Sequence, residues 1–178
     1  MSKIGRKPIE LGAVKVQIDG QMVHFKGKNA EGDHLVPDVI KPEFEGECLV
    51  LKQARKTSDT NRLWGLHRAL LANKIVGAGE GFKKQVKIVG LGFKAIKKGP
   101  GLEFSLGYSH KIDFPLPKDV TVEIDKTGQG LAFWSNNKEL LGLVCSKIVA
   151  LRPPEPYKGT GVFREGDVII RKAGKAKA

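Results

Sequence analysis

The sequence predicts an α+β protein built from two tandem duplicated units, each a small, mostly antiparallel sheet packed by one helix. Three observations carry this. The chain twice runs through short strand-like segments, a proline-marked connection, a further strand and then one helix. The two helical stretches share a pattern, Leu63-Trp64-Gly65-Leu66 and Leu140-Leu141-Gly142-Leu143, at an offset of 77 residues. And 178 residues with 40% hydrophobic content suffice for two small cores. The unit boundary falls at residues 82/83, giving a 1–82 unit and an 83–178 unit that ends in an extended basic tail from about residue 153.

In the first unit, residues 1–11 are short, basic and interrupted by Pro8; Lys3, Arg6 and Lys7 read equally as phosphate contacts or as a frayed terminus. Val14, Val16 and Ile18 alternate up to Asp19-Gly20, and Met22 to Phe25 come next, a hairpin signature. Residues 27–33 read as a polar loop, Leu35-Val36 as the opening of a short strand, Pro37 and Pro42 as marks of an exposed connection, and Leu49 to Leu51 as a strand. A helix is expected from about Thr60 to Val76, with Ser58 or Asp59 as N-cap and Leu63, Leu66, Ala69, Leu70 and Val76 on its apolar face. The glycine cluster 77–81 reads as a helix stop and hinge. It lacks the lysine and strand context of a phosphate-binding loop.

The second pass begins at Phe82. Val86, Ile88 and Leu91, then Phe93 and Ile96, read as a strand pair bent at Gly90 and Gly92. Gly99-Pro100-Gly101 is a turn; Leu102, Phe104 and Leu106 alternate; Ile112 and Phe114, then Val120, Val122 and Ile124, then Leu131 to Phe133 supply further strands. The second helix, roughly 137–151, has Asn136 as expected N-cap with Glu139 in capping-box spacing, and Leu140, Leu141, Val144, Ile148 and Leu151 as its apolar face. A mid-helix glycine costs roughly 1 kcal/mol against alanine. Gly65 and Gly142 are therefore expected where a helix packs closely on a sheet.

Charge divides the chain. Its net charge is +12, which points to a polyanionic partner. Residues 1–82 carry 13 Lys+Arg against 10 Asp+Glu, and residues 83–178 carry 18 against 9. The second unit is the one expected to face the polyanion. Cys48 and Cys145 lie 97 positions apart and read as small core residues in a reducing compartment. No signal core or membrane-spanning run is apparent, so a cytoplasmic protein without membrane contact is expected.

Nothing assembles a nucleophile, base and orienting group. His24, His34, His67 and His110 are scattered; His67, beside Arg68, reads as facing solvent or RNA. Asp119, Glu123 and Asp125 read as the solvent face of a strand. No cofactor, metal or catalytic residue is expected.

The last segment is the most informative. Pro153, Pro154 and Pro156 stiffen the chain after the second helix. Tyr157 and Lys158 come next, then Gly159-Thr160-Gly161 as a hinge allowing close approach, a strand-like run Val168 to Ile170, and the cations Arg171, Lys172, Lys175 and Lys177. Such a segment suits an RNA backbone; a solvated basic tail is the plainer reading. Candidate RNA contacts are Arg152, Tyr157, Lys158, Gly159, Thr160, Gly161, Arg164, Arg171, Lys172, Lys175 and Lys177.

Five segments carry a family resemblance: 2–9 (Ser2 to Ile9), 62–70 (Arg62 to Leu70), 89–95 (Val89 to Ala95), 106–110 (Leu106 to His110) and 154–159 (Pro154 to Gly159). Together, and in order over essentially the whole chain, they resemble the bacterial large-subunit ribosomal protein six family. The resemblance implies a duplicated two-domain α+β fold and a structural, non-catalytic ribosomal role. It implies that the second domain binds large-subunit (23S-type) rRNA near the sarcin–ricin loop, with neighbouring ribosomal proteins and translation factors close by. It also marks Tyr157, Lys158, Gly159 and Gly161 as RNA-contacting, with Arg152, Arg171, Lys172 and Lys175 nearby. This chain departs from the family at Thr160, where lysine is common, at Phe163-Arg164, where a basic-then-aromatic pair is common, and at Glu165, near which a basic residue is common. The competing readings are a non-ribosomal RNA-binding adaptor or assembly factor using the same tail, and an RNA-processing enzyme with an unrecognised site.

Overall fold

The computed structural model describes residues 2–55, 57 and 59–174. These divide into two compact units, residues 1–82 with 136–138, and residues 83–135 with 139–178.

In the first unit, β1 (Ile9–Glu10), β2 (Lys15–Asp19), β3 (Met22–Lys26), β4 (Glu31–Leu35), β5 (Ile40–Glu45) and β6 (Cys48–Gln53) precede α1 (Thr60–Gly79). They form two three-stranded sheets, β2-β3-β4 and β1-β6-β5. The β2–β3 hairpin pairs Asp19 with Met22, and Gly20, at φ +58°, takes the position where a tight hairpin turn requires a positive φ. The core holds Val23, Phe25, Ile40, Leu49, Leu51 and the buried stripe of α1.

Several expectations shift here. Glu31 to Asp33 belong to β4 rather than to a loop, and Leu35 ends that strand instead of opening one. Pro42 lies inside β5, buried and opposite Leu51. The site tolerates proline because β5 is a sheet edge, where a missing N–H removes no ladder bond. On α1 the buried stripe is Thr60, Trp64, Leu71, Ile75 and Ala78, while Leu66 and Val76 are about half exposed. The leucines suggested a face rotated from the true one. Trp64 anchors the true one by donating its indole N–H to the Leu51 carbonyl at 2.6 Å.

Asp59 stands at the N-cap without a capping side-chain bond and pairs with Arg62; Ser58 lies outside the described residues. Thr60 ties the helix start instead, its hydroxyl donating to the Arg55 carbonyl and accepting from the Thr57 N–H, both at 2.9 Å. The helix runs through Gly77 and Gly79 and ends where Gly81, at φ +80°, lets the Glu80 and Gly81 N–H groups both reach the Val76 carbonyl.

The second unit contains β7 (Phe82–Val89), β8 (Lys94–Lys98), β9 (Gly101–Ser105), β10 (Ile112–Pro115), β11 (Val120–Ile124), β12 (Gly130–Ser135), α2 (Lys138–Leu151) and β13 (Gly161–Arg164). Its sheets are ordered β10-β9-β8 and β11-β12-β7-β13. The topology of the first unit recurs: β8-β9-β10 repeats β2-β3-β4, and β7-β12-β11 repeats β1-β6-β5, with β13 added outside β7. β7 and β8 are thus strands of different sheets rather than a pair, and Leu91 between them is fully exposed. α2 begins at Lys138, which moves the cap position from Asn136 to Asn137 and puts Leu140, not Glu139, three residues on. Its buried face is Leu141, Val144, Cys145 and Ile148. Cys145 and Cys48 are free thiols; burial pushes the Cys145 thiol up, against the pull of Lys84 and Arg164.

The repeated helix glycines do not sit against sheet backbone. A Cβ at Gly65 would meet the Ser2 hydroxyl at 2.8 Å, and one at Gly142 would only touch the Lys84 ammonium at 3.6 Å. Trp64 and Leu141, the residues just before them, carry the packing.

Candidate nucleic-acid interface

The segment after α2 folds into a closed loop. Gly161, at φ +143°, is buried so tightly that a Cβ there would meet the Pro153 carbonyl oxygen and Pro154 Cα at 2.7 Å. The Val162 N–H bonds the Arg152 carbonyl at 2.8 Å and starts β13, which pairs with β7. Within the loop the Gly159 N–H bonds the Glu155 carbonyl, and the Glu155 N–H bonds the Thr160 carbonyl, both at 2.9 Å. The Thr160 hydroxyl reaches the Glu155 carboxylate at 3.3 Å. Thr160 therefore helps to close the loop.

The chain then returns over this loop. Val168 to Ile170 form no strand; Val168 and Ile170 are 89% and 80% exposed. A strand needs a ladder partner, and among the described residues β13 pairs only with β7. Instead the Lys172 N–H bonds the Pro156 carbonyl at 2.8 Å, and the Arg171 guanidinium covers Gly159, at φ +69°, about 3.0 Å from where a Cβ would stand. Tyr157, Lys158, Arg171 and Lys172 are all exposed on this assembly. Two glycines are thus buried backbone pivots, and four exposed side chains form a compact cationic, aromatic surface. Lys175 and Lys177 lie outside the described residues.

The two remaining arginines are placed differently. Arg152 donates to the Leu106 carbonyl and lies between two rings, 4.9 Å from the centroid of Phe93 and 5.0 Å from that of Tyr108. Arg164 shares the inward face of β13 with Val162 and donates to the Ser146 hydroxyl on α2 at 2.6 Å, with its Nε buried and unpaired. The charge at position 164 is therefore turned toward α2. An open groove beside it is lined by Lys83, Lys84, Gln85, Glu165 and Asp167.

The aromatic end of the Arg152 stack was not legible as a site. Tyr108 donates to the Leu151 carbonyl at 3.1 Å and lies nearly parallel to His110, with centroids 6.0 Å apart. The only signal was that Leu106-Gly107-Tyr108-Ser109-His110 and Phe93 fall in motifs carrying the family resemblance. In the first unit His67, expected to face solvent or RNA, instead meets His34 at 3.1 Å. Burial holds both imidazoles below their ordinary value, His34 at about 4.

Among the described residues no group of three or more His, Cys, Asp or Glu side chains could hold a metal ion, and no helix is long and apolar enough to cross a membrane. Residues 89–165 match the family described as Ribosomal protein L6. The chain is 36% identical to large ribosomal subunit protein uL6 of Beijerinckia indica, over 99% of its own length and all of that protein. It is 39% identical to uL6 of Magnetococcus marinus with the same coverage, and 44% identical to uL6 of Salinispora arenicola over 99% and 98% of the two chains. The chain belongs to the ribosomal protein L6 family. It is a structural, non-enzymatic constituent of the large ribosomal subunit, and so cytoplasmic in bacteria.

Proposed function

We propose that the chain binds large-subunit rRNA mainly through residues 83–178, near the sarcin–ricin loop and the region where translation factors bind, and that it supports translation by holding RNA rather than by chemistry. The observation that carries this reading is the closed loop with Tyr157 and Lys158 at its surface and Arg171 and Lys172 folded back beside them. Lysine and arginine neutralise phosphates, and a tyrosine stacks on or hydrogen-bonds a base or sugar. Gly159 and Gly161 shape the loop from inside, so their part in binding is to position it. The milder charge of residues 1–82 suits neighbouring ribosomal proteins.

The test is site-specific photocrosslinking of the full chain to large subunits. A photoreactive residue replacing Tyr157 is expected to attach to rRNA beside the sarcin–ricin loop, and one replacing Phe44 in the first unit is not. Adducts only from position 44, or adducts from 157 to protein alone, would reverse this division.

A further inference from the structure

We infer that His110 caps a second RNA contact, a stacking site for one unpaired nucleobase, separate from the loop at 155–160. This rests on the proposed RNA-binding reading and adds a site to it. Four planar groups stand in series: the Phe93 ring, the Arg152 guanidinium 4.9 Å from its centroid, the Tyr108 ring 5.0 Å beyond, and His110 at 6.0 Å and 21° to Tyr108. These spacings are those of stacked rings and of a cation over an aromatic face. The inner end of the series is fixed. Arg152 is held by the Leu106 carbonyl, and Tyr108 by the Leu151 carbonyl at 3.1 Å. Gly107, at φ +76°, leaves no room for a side chain, since a Cβ would lie 2.6 Å from the Phe93 ring. The outer end is free for contact: residues 107–111 are all exposed.

A series alternating ring, cation, ring and ring, anchored inside and ending in an exposed imidazole, presents a π-face at fixed height. The next planar group that continues it is a base. Because the stack is built before binding, little ordering is required of the protein when a base arrives. Every base has a π-face, so the site selects for an unpaired, splayed base rather than for its identity. Lys111, the neighbouring cation, is engaged with Glu103 at 2.7 Å, which leaves stacking, not phosphate neutralisation, as the chemistry of this end.

The experiment measures binding of the full chain to purified large-subunit rRNA across a salt series, for the parent, His110→Ala and His110→Phe. His110→Ala is expected to bind roughly tenfold more weakly. His110→Phe should stay within about twofold of the parent, because a ring remains. Both should keep the parent's log–log salt slope, because no phosphate contact is lost. Parent-like binding by His110→Ala overturns the inference and leaves the wider RNA-binding reading intact. Equal losses in both variants, or a slope reduced by about one, make the imidazole a hydrogen-bonding or ionic contact and overturn it too. A loss seen only in assembled subunits assigns the stack to a neighbouring protein and overturns the base-stacking site. Failure of the parent to bind rRNA removes both readings.

Discussion

The two units have the same strand order and the same sheet pairings up to the end of the helix, and they diverge beyond it. After α1 the chain turns at Gly81 and leaves. After α2 it makes a proline-stiffened loop, adds β13 to the sheet edge and doubles back over its own loop. The helices differ in kind as well. The first is anchored by a tryptophan hydrogen bond and a histidine pair, the second by Leu141, Val144, Cys145 and Ile148. The sheet-and-helix core is common to both units, and the proposed RNA-binding surface lies on an extension that the core does not need. Charge differs between the units as well, 18 cations against 9 anions after residue 82 and 13 against 10 before it, and the stretch from Arg152 onward carries seven of those cations against three anions.

The sharpest way to break this comparison is at Gly161. Its φ of +143° is a region in which L side chains are strained, and a Cβ would strike the backbone of Pro153 and Pro154. Gly161→Ala should cost about 3 kcal/mol of stability, combining backbone strain with overpacking, measured by chemical denaturation. The same substitution at Gly12 or Gly46 of the first unit, each with a positive φ but open space, should cost about 1 kcal/mol. Equal losses at both would mean that the extension is no more tightly built than an ordinary turn.

Next come the cations. Lys158→Ala, Arg171→Ala and Lys172→Ala together should flatten the log–log salt slope of rRNA binding by about two to three. Replacing Lys26, Lys41 and Lys52 in the first unit, all held in ion pairs with Glu31, Glu43 and Glu45, should leave the slope unchanged. If both triplets flatten it alike, both units hold phosphates. A smaller effect is expected from Arg152→Lys. It keeps the charge but loses the planar fork between Phe93 and Tyr108, and should cost about 1–2 kcal/mol of stability with the salt slope intact.

Legibility in the sequence depended on which interactions are local. The duplication, both helices, the β2–β3 and β8–β9 hairpins and the alternation of Leu102, Phe104 and Leu106 were all readable, because turn residues and periodicity act over a few positions. The proline-glycine loop was readable for the same reason. Partner choice was not. Val168 to Ile170 have the composition of a strand but pair with none; Pro42 looks like a loop residue, yet an edge strand accepts it. Arg152 and Arg164 look like phosphate ligands in a basic tail, and only the tertiary structure reveals two rings around one and the Ser146 hydroxyl against the other. Thr160 was similar, a polar loop residue whose use as a loop closure depends on Glu155.

The smallest predicted effect tests whether the histidine pair belongs to the first unit's folding alone. His34 is 7% exposed and held at about 4, chiefly by burial and then by the charges of Lys74 and His67. Lys74 is fixed alongside, its ammonium donating to the Asp33 carbonyl at 2.8 Å. Above its ordinary value of 6.5 the imidazole is neutral in both folded and unfolded chains, and it contributes no pH dependence. As pH falls from 6.5 toward 4 the unfolded chain binds a proton that the folded one refuses, so stability declines across that window and levels off below it. Because His67 shares the site and can relax with it, the loss should be about 1 kcal/mol rather than the full linkage value. His34→Phe should remove this component from the pH profile of thermal unfolding while leaving rRNA affinity at neutral pH unchanged. A matching fall in RNA affinity would show that the first unit's interior is coupled to the binding surface, which a core copied without its function does not require.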